Sequence, residues 1–238
     1  MNLHLTLQGK GGVGKSLVST LVAQYLRSQG DEPTCIDTDP ANATFHGFSQ
    51  LNVKFLDILE NEKVNPRIFD QMVNTVMTSE NDCVVDCGAT TFIPLTAYIK
   101  ENNLIEFLTS SGITVYMHVL VTGGQALKDT IKGLDYIIKS FSDNAKIVVW
   151  LNEFFGKVMH DGKEFEEFKV FIDNKKEIYG LITIPEMTRE TFGQDIKEML
   201  EKRMTFNEFI SDENIFAMPR QRITIFRDKI YNNISMVL

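Results

Sequence analysis

The sequence predicts an α/β fold in which a mostly parallel, twisted sheet is covered by helices on both faces. Short apolar runs alternate with amphipathic helical patterns from the N-terminus to about residue 200, and this order is the signature of βαβ units. The first apolar run, Leu3 to Leu7, leads directly into a glycine-rich segment and a helix. We expect one domain over residues 1–238, with a core at 1–204 and a helical extension at 205–238.

Strand-like and helical segments follow each other in a regular order along the core. Parallel strands that are buried on both faces read as continuous apolar runs, so the short runs are assigned to strands and the periodic segments to helices. The predicted strands are Leu3–Leu7, Thr34–Ile36, Cys83–Val85, Ile113–Val121, Ile147–Leu151 and Tyr179–Ile184. The predicted helices are Ser16–Ser28, Phe69–Met77, Ala126–Phe141, Glu164–Phe171 and Thr191–Lys202.

Beyond residue 204 the pattern changes to helical segments alone. Thr205 and Glu208 have the T-x-x-E spacing of a capping box, which predicts a short helix. An amphipathic helix with a basic flank follows; its apolar positions are Ile223, Phe226, Ile230, Ile234 and Val237, and its basic ones are Arg220, Arg222, Arg227 and Lys229. This helix either packs on the sheet with its charges in solvent, contacts DNA or a partner, or lies on a membrane surface.

Composition excludes several classes of protein. The net charge of −8 disfavours an extended nucleic-acid footprint, because neutralising phosphates needs a surplus of Lys and Arg. The apolar runs are too short to span a bilayer, and we expect a cytoplasmic protein. Cys35, Cys83 and Cys87 lie in or beside apolar runs, where buried thiols are expected rather than a disulfide or zinc site.

The segment Gly9-Lys10-Gly11-Gly12-Val13-Gly14-Lys15-Ser16 predicts a phosphate-binding loop and therefore a P-loop NTPase fold. Its glycines let backbone N–H groups turn towards phosphate oxygens without Cβ atoms in the way. Lys15 is expected to reach the β- and γ-phosphates, and the Ser16 hydroxyl to complete a set of Mg²⁺ ligands. Lys10 is not needed to hold phosphate, so from the residues alone an incidental solvated cation is an alternative interpretation.

Carboxylates end two of the predicted strands. Asp37 and Asp39 follow the second strand, and Asp86 follows the third. In open α/β sheets the ligand binds outside the carboxyl ends of the strands, so these residues are the first catalytic candidates. An aspartate at a strand end is also a common turn or helix cap.

The string KGGVGKS and the segment Asp37-Thr38-Asp39-Pro40 together resemble the ParA/MinD family of ATPases. The resemblance covers roughly residues 1–190. It implies that Lys10 crosses a dimer interface to phosphates held by the other subunit, and that Asp39 orients the attacking water. It also implies that Asp37 and Asp86 act with Ser16 at Mg²⁺, while Lys10, Lys15 and Asp39 form the catalytic set for ATP.

Two later strand ends resemble the segments that contact the base in this family. Asn152 ends the run Val149–Leu151, and Pro185 ends the run that closes at Ile184. Locally, an asparagine is a turn residue and a proline is a strand terminator, so a direct base contact and a purely structural role both remain open. The glycines of Thr122-Gly123-Gly124 are interpreted as allowing close strand–helix packing.

Several segments look more like the TraL/StbB-type ATPases of conjugative plasmids than like chromosomal partition proteins. They are Cys35–Thr44, Val121–Leu127, Val149–Asn152, Thr205-Phe206 and Arg220–Arg222. The resemblance implies a Mg²⁺-dependent, slowly hydrolysing ATPase that forms an ATP-dependent homodimer and acts with a plasmid-encoded partner in transfer or maintenance. DNA binding has weak support and membrane binding is not expected. The alternatives are a nucleotide-dependent binding module with incidental hydrolysis and a metabolic kinase, for which no acceptor site is recognisable.

Overall fold

The computed structural model describes residues 1–61, 63–154 and 156–238. The strands are β1 (Asn2–Leu7), β2 (Thr34–Asp37), β3 (Lys54–Phe55), β4 (Leu59–Glu60), β5 (Lys63–Val64), β6 (Cys83–Asp86), β7 (Thr114–Thr122), β8 (Lys146–Asn152), β9 (Met159–His160), β10 (Lys163–Glu164) and β11 (Ile178–Ile184). The α-helices are α1 (Lys15–Ser28), α2 (Ile68–Met77), α3 (Phe92–Glu101), α4 (Leu104–Ser110), α5 (Leu127–Phe141), α6 (Lys169–Asp173), α7 (Gln194–Glu201), α8 (Phe206–Ser211) and α9 (Ala217–Ser235).

Seven strands form one parallel sheet in the order β11-β8-β7-β1-β6-β2-β3. The sheet confirms the predicted α/β fold. The strand order places β6 directly between β1 and β2. The glycine-rich loop after β1 therefore lies at the same end of the sheet as the carboxyl ends of β6 and β2. The short pairs β4–β5 and β9–β10 are antiparallel and form separate two-stranded sheets.

Helices cover both faces of the sheet, and each layer has its own apolar core. One core contains side chains from α2 to α6, including Phe69, Leu95 and Leu134. The other contains side chains from α1 and from α7 to α9, including Val18 and Ile196. The alternation of side chains along a strand explains the two layers, because successive residues of β1 point to opposite faces.

The C-terminal helices form as predicted. Thr205 and Glu208 make the capping box at the start of α8, and Ile223, Phe226, Ile230 and Ile234 of α9 are buried in the core. Val237 is partly buried against the same core. Arg222 on α9 pairs with Asp195 on α7. The apolar face of α9 is therefore covered by the rest of the chain. None of the helices in residues 1–61, 63–154 and 156–238 is long and apolar enough to cross a membrane.

Three expectations need correction. The predicted helix at 164–171 is interrupted: Glu164 belongs to β10, a 3₁₀ turn covers Phe165–Glu167, and α6 begins only at Lys169. Phe168 is extended, with ψ 142°, and this conformation separates the turn from α6. The sequence interpretation also omitted α3 and α4. At Gly123, a Cβ atom would lie 2.3 Å from the Lys157 carbonyl oxygen, so the close approach is to that segment and not to a helix.

The three cysteines are buried and free, as expected. Burial raises the pKa of the Cys35 thiol to about 12 and raises that of Cys87 further. Both thiols are therefore protonated and unreactive near neutral pH.

A buried chain of hydrogen bonds crosses the middle of the sheet. The Trp150 indole N–H donates to Nδ1 of His118 at 2.8 Å, so the proton of neutral His118 is on Nε2. That nitrogen lies 2.9 Å from Nδ1 of His4, which must accept. His4 then carries its proton on Nε2, 3.9 Å from the Asp82 carboxylate. The indole donor fixes the tautomer of both histidines.

We predict that His118 makes folding sensitive to acid. Burial lowers the pKa of His118 well below its ordinary value, and nearby His4 lowers it further. Below about pH 6.5 the unfolded chain binds a proton at His118 and the folded chain does not. The free energy of unfolding therefore decreases as the pH is lowered, by up to ~1.4 kcal/mol per pH unit. His118→Gln keeps a donor towards His4 and cannot titrate. Urea unfolding at pH 7.5, 6.5 and 5.5 should show a smaller loss for this variant than for wild type.

The exposed histidine His160 provides the control, because His160→Gln removes an imidazole that is open to solvent. This control should follow the pH dependence of wild type. Equal losses of stability for His118→Gln and wild type between pH 6.5 and 5.5 would contradict the prediction.

Candidate functional site

The loop between β1 and α1 has a backbone that depends on glycine. Gly12 and Gly14 have φ angles of 73° and 100°, in the left-handed region that other residues avoid. A Cβ atom on Gly14 would also lie 2.7 Å from the side-chain nitrogen of Asn152. The loop ends where α1 begins at Lys15. The unpaired N–H groups and the positive end of that helix would therefore face an anion bound at the loop.

Lys15 lies folded over this loop. Its side chain is largely buried, and its ammonium group donates to the Lys10 carbonyl oxygen at 3.1 Å. Burial lowers the pKa of Lys15, while the nearby carboxylates of Asp86 and Asp39 raise it. The lysine is thus placed to pair with an anionic ligand at the loop.

A cleft of about 500 Å³ opens above the loop. Seven of the predicted site residues line it: Gly11, Gly12, Gly14, Lys15, Ser16, Asp39 and Asn152. Other lining residues were not predicted; they are Leu17, Ala41, Asn42, Thr44, Ala89, Thr90, Phe154 and Leu200. The cleft therefore brings together the phosphate loop, the segment after β2, the segment after β6 and the end of α7.

Asp86 lies beneath the cleft at the end of β6. It is opposite Thr6 on one neighbouring strand and opposite Asp37 on the other. The Ser19 hydroxyl is 3.0 Å from its carboxylate and 2.9 Å from the Thr6 hydroxyl. Burial raises the pKa of Asp86 to about 7, and the charge of Asp37 adds to this, whereas Ser16, Ser19 and Lys15 act in the opposite direction.

Asp37 and Asp39 have different surroundings although they are two residues apart. Asp37 is buried and accepts from the backbone N–H groups of Asp39 and His46, both at 2.9 Å. Burial raises its pKa, and these two bonds oppose the shift. Asp39 lines the cleft and accepts from Ala41 N–H at 2.9 Å. A Cβ atom on Gly88 would lie 2.7 Å from the Asp39 carboxylate, so this glycine makes room for it.

The oxygen atoms at this edge of the sheet suit Mg²⁺. The buried carboxylates of Asp37 and Asp86 lie opposite each other on neighbouring strands. Neither forms a salt bridge with any residue that the structure describes. Carboxylate and hydroxyl oxygens are the donors that Mg²⁺ prefers, and it commonly takes few protein ligands together with phosphates and water. The described residues contain no group of three or more His, Cys, Asp or Glu that could hold a metal alone. The set therefore fits a cation shared with a phosphate ligand.

Comparisons with known proteins agree with this geometry. Residues 5–200 match the family described as the CobQ/CobB/MinD/ParA nucleotide binding domain. The chain belongs to this family.

Individual relatives extend the comparison to nearly the whole chain. Two Escherichia coli proteins named Protein TraL are 41% and 42% identical to it, over 98% and 96% of this chain and 97% and 95% of theirs. Among solved structures, a MinD cell division protein from Aquifex aeolicus has a TM-score of 0.56 at 15% identity, covering 98% of this chain and 97% of its own. MinD from Pyrococcus horikoshii, complexed with Mg-ADP, has a TM-score of 0.55 at 14% identity, covering 100% and 99%.

Lys10, the first lysine of the phosphate loop, is not among the residues that line the cleft. Its ammonium group lies 3.0 Å from the Asp129 carboxylate on the first turn of α5. The side chains are 44% and 51% exposed, so solvent screens the pair. The hydrogen bond and charge of Lys10 lower the pKa of Asp129. Within this chain, the partner of Lys10 is therefore a carboxylate and not the phosphate site.

Asn152 and Pro185 occupy different places. The Asn152 side chain is buried; it donates to the Val13 carbonyl at 2.9 Å and accepts from Phe154 N–H at 3.1 Å. It thus fixes the phosphate loop from the end of β8, and a base contact stays a prediction. Pro185 does not line the cleft or the adjoining groove, which instead contains Met187 and Arg189. Gly9 and Val13 also lie outside the lining; Val13 is buried, and a Cβ on Gly9 would lie 3.1 Å from Phe92.

The residues that sequence reasoning missed fall into two classes. Ala89 and Thr90 follow Asp86 closely, and Asn42 and Thr44 follow Asp39, so proximity to those motifs was an available signal. Asp129, by contrast, is remote in sequence and reaches Lys10 only because β7 pairs with β1 and delivers α5 beside the loop. No local pattern marks such a partner.

We predict that Gly14→Ala weakens ATP binding by at least about tenfold. An alanine at this φ is strained by ~1–2 kcal/mol, and its Cβ would displace the Asn152 amide that holds the loop. Gly30→Ala is the matched control, because Gly30 has a similar φ of 91° but open space around it. Calorimetric titration with ATP should show the loss only for Gly14→Ala. Equal affinity of the two variants would contradict the role assigned to this glycine.

Proposed function

We propose that this protein is a Mg²⁺-dependent ATPase that hydrolyses ATP slowly and works as an ATP-dependent homodimer. We place it in the cytoplasm, acting with a plasmid-encoded partner in conjugative transfer or plasmid maintenance. The observation that carries the proposal is the meeting of the phosphate loop and Asp39 at one cleft, with the paired carboxylates Asp37 and Asp86 at the adjacent strand ends and Asp86 near Lys15 and Ser16.

The chemistry follows from the positions of these groups. The backbone N–H groups of residues 11–16 and the Lys15 ammonium bind the β- and γ-phosphates. Ser16, Asp37 and Asp86 would hold Mg²⁺ directly or through water, and the bound cation would neutralise developing phosphate charge. Asp39 accepts a hydrogen bond from the attacking water, whose oxygen bonds to the γ-phosphorus as the bond to the β–γ bridging oxygen breaks. The products are ADP and phosphate, and catalysis is mostly positioning and charge stabilisation.

We assign dimerisation to Lys10 because it belongs to the phosphate loop and its side chain is exposed to solvent. Its pair with Asp129 is exposed to solvent, and exposed ion pairs contribute little to stability. Lys10 can therefore exchange Asp129 for a more strongly charged partner, such as the phosphates of nucleotide held by a second copy. ATP then contributes to the interface, and its hydrolysis releases the dimer.

The biological setting rests on the similarity to Protein TraL over nearly the whole chain. The magnesium requirement gains support from the MinD of Pyrococcus horikoshii, which was solved with Mg-ADP. DNA binding is less well supported: Arg222 is paired with Asp195 and Arg227 with Asp228, so these α9 charges are partly neutralised within the chain. Arg220 and Lys229 are the remaining basic residues of that flank.

A second function remains in competition, namely a nucleotide-dependent binding module in which hydrolysis is incidental. The Asp39 carboxylate favours it, because one oxygen accepts from the N–H groups of both Ala41 and Asn42. A carboxylate engaged in its own turn is a weaker acceptor for water until the loop rearranges. Phosphate release by wild type and Asp39→Ala separates the two functions. Asp57→Ala is the control, since Asp57 makes a similar turn through Leu59 N–H.

We predict that Lys10→Ala abolishes ATP-dependent dimerisation and that Asp129→Asn does not. Both variants break the same ion pair, but only the first removes the charge assigned to the partner's nucleotide. Light scattering with ATP and with ADP measures the mass of each variant. If Lys10 serves only the internal pair, both variants will behave alike, and this result would contradict the dimer model. Asp39→Ala should retain the dimer for longer, because its hydrolysis is slower.

A further inference from the structure

The loop that carries Asp39, residues 38–48, is tied to the body of the protein at both ends. At its start, the buried Asp37 carboxylate accepts from the N–H groups of Asp39 and His46. Further along, the Arg203 guanidinium donates from Nη1 to the carbonyl oxygens of Ala43 and Thr44, both at 3.1 Å. A side chain that is distant in sequence thus holds two consecutive carbonyl groups of the loop.

Arg203 and Gly47 are fitted to this contact. Arg203 has a φ of 54°, which directs the chain out of the last turn of α7. A Cβ atom on Gly47 would lie 2.0 Å from Nη1 of Arg203, so only glycine leaves room for the guanidinium here. Hydrogen bonds from a charged group to carbonyl oxygens are stronger than bonds between neutral groups. Arg203 is exposed to solvent, and its guanidinium nevertheless engages two carbonyl groups of the loop, as an anchor does.

The segment around Arg203 is itself fixed on the nucleotide-binding core. Leu200, three residues before it, lines the cleft together with Thr44. Thr205 caps α8, and the N–H of Phe206 donates to the Gln24 side chain on α1 at 2.7 Å. α1 begins at the phosphate loop. Arg203 thus connects the Asp39 loop to a rigid segment that also contacts the phosphate-binding helix.

We propose that Arg203 is a positioning residue for ATP hydrolysis. It holds the Asp39 loop in the arrangement that directs Asp39 towards the cleft, and it connects this loop to the C-terminal helices. Arg203 is not among the residues that line the cleft, so it acts through the loop and not on phosphate. The proposal rests on the proposed ATPase function. It assigns a role in that function to Arg203, which lies outside the phosphate loop, the strand ends and the family motifs.

Two variants remove the anchor by independent routes. Arg203→Ala deletes the donor. Gly47→Ala keeps the arginine but places a methyl group where the guanidinium lies, and the flexible side chain must move away. Gly47 does not have a positive φ, so alanine fits the local backbone. Lys202→Ala is the matched control: it removes a neighbouring cation, which pairs with Glu198 and, within the residues that the structure describes, makes no hydrogen bond or ion pair with the loop.

Hydrogen exchange of the nucleotide-free protein and steady-state phosphate release test the proposal together. Arg203→Ala and Gly47→Ala should each speed exchange in residues 39–47. Each should lower kcat by about tenfold, with KM for ATP changed less than about twofold, since one anchoring interaction with a charged donor is lost. The double variant should be no slower than either single variant, because both changes break one contact. Lys202→Ala should match wild type.

The possible failures are distinguishable. If wild type hydrolyses ATP but Arg203→Ala keeps its kcat, or loses it only through a raised KM, the positioning role is wrong. Gly47→Ala with unchanged exchange and turnover would overturn it equally. If wild type itself releases no phosphate, the ATPase function fails and the role in hydrolysis fails with it.

Discussion

The carboxyl groups of Asp37 and Asp86 lie on neighbouring strands at one edge of the sheet, where both are buried. Burial disfavours their negative charge and raises the pKa of each; the charge of Asp37 adds to the shift at Asp86, and the charge of Asp39 adds to the shift at Asp37. Lys15 at the phosphate loop supplies one nearby positive charge. A bound divalent cation would offset the negative charge of the two carboxylates that Lys15 leaves unneutralised. The arrangement of the cleft depends on the burial of these two neighbouring carboxylates.

The sheet order enforces that proximity. Because β6 lies between β1 and β2, the phosphate loop after β1 and the aspartates that end β2 and β6 all lie at the carboxyl end of the sheet. The C-terminal helices are part of the same construction, because α9 packs its apolar face on the layer that contains α1. Removing the chain from Pro219 would delete the buried Ile223 and Phe226 and uncover the core that they pack against, so point changes at exposed charges are the sounder way to study α9.

Sequence patterns predicted those parts of the molecule whose signals are local. The glycine-rich loop, the strand-end aspartates and the buried face of α9 each depend on residues within a few turns of one another. The omitted α3 and α4 lie between two strands that were predicted, Cys83–Val85 and Ile113–Val121, and no helix was assigned to the segment that joins them. The interrupted helix at 164–171 fails because a capping box between Glu164 and Glu167 stabilises a 3₁₀ turn instead. Contacts such as Lys10 with Asp129 and Arg203 with Ala43 join distant segments, and they are fixed only by the fold.

The central claim is that the buried carboxylates make ATP binding depend on a divalent cation. Calorimetric titration of ATP into wild type and Asp86→Asn, each with Mg²⁺ and with EDTA, measures this dependence directly. We expect Mg²⁺ to strengthen ATP binding by wild type and Asp86→Asn to lose most of this gain, since it lacks one of the two carboxylate charges. Equal ATP affinity of wild type in Mg²⁺ and in EDTA, or an undiminished Mg²⁺ effect in Asp86→Asn, would contradict it.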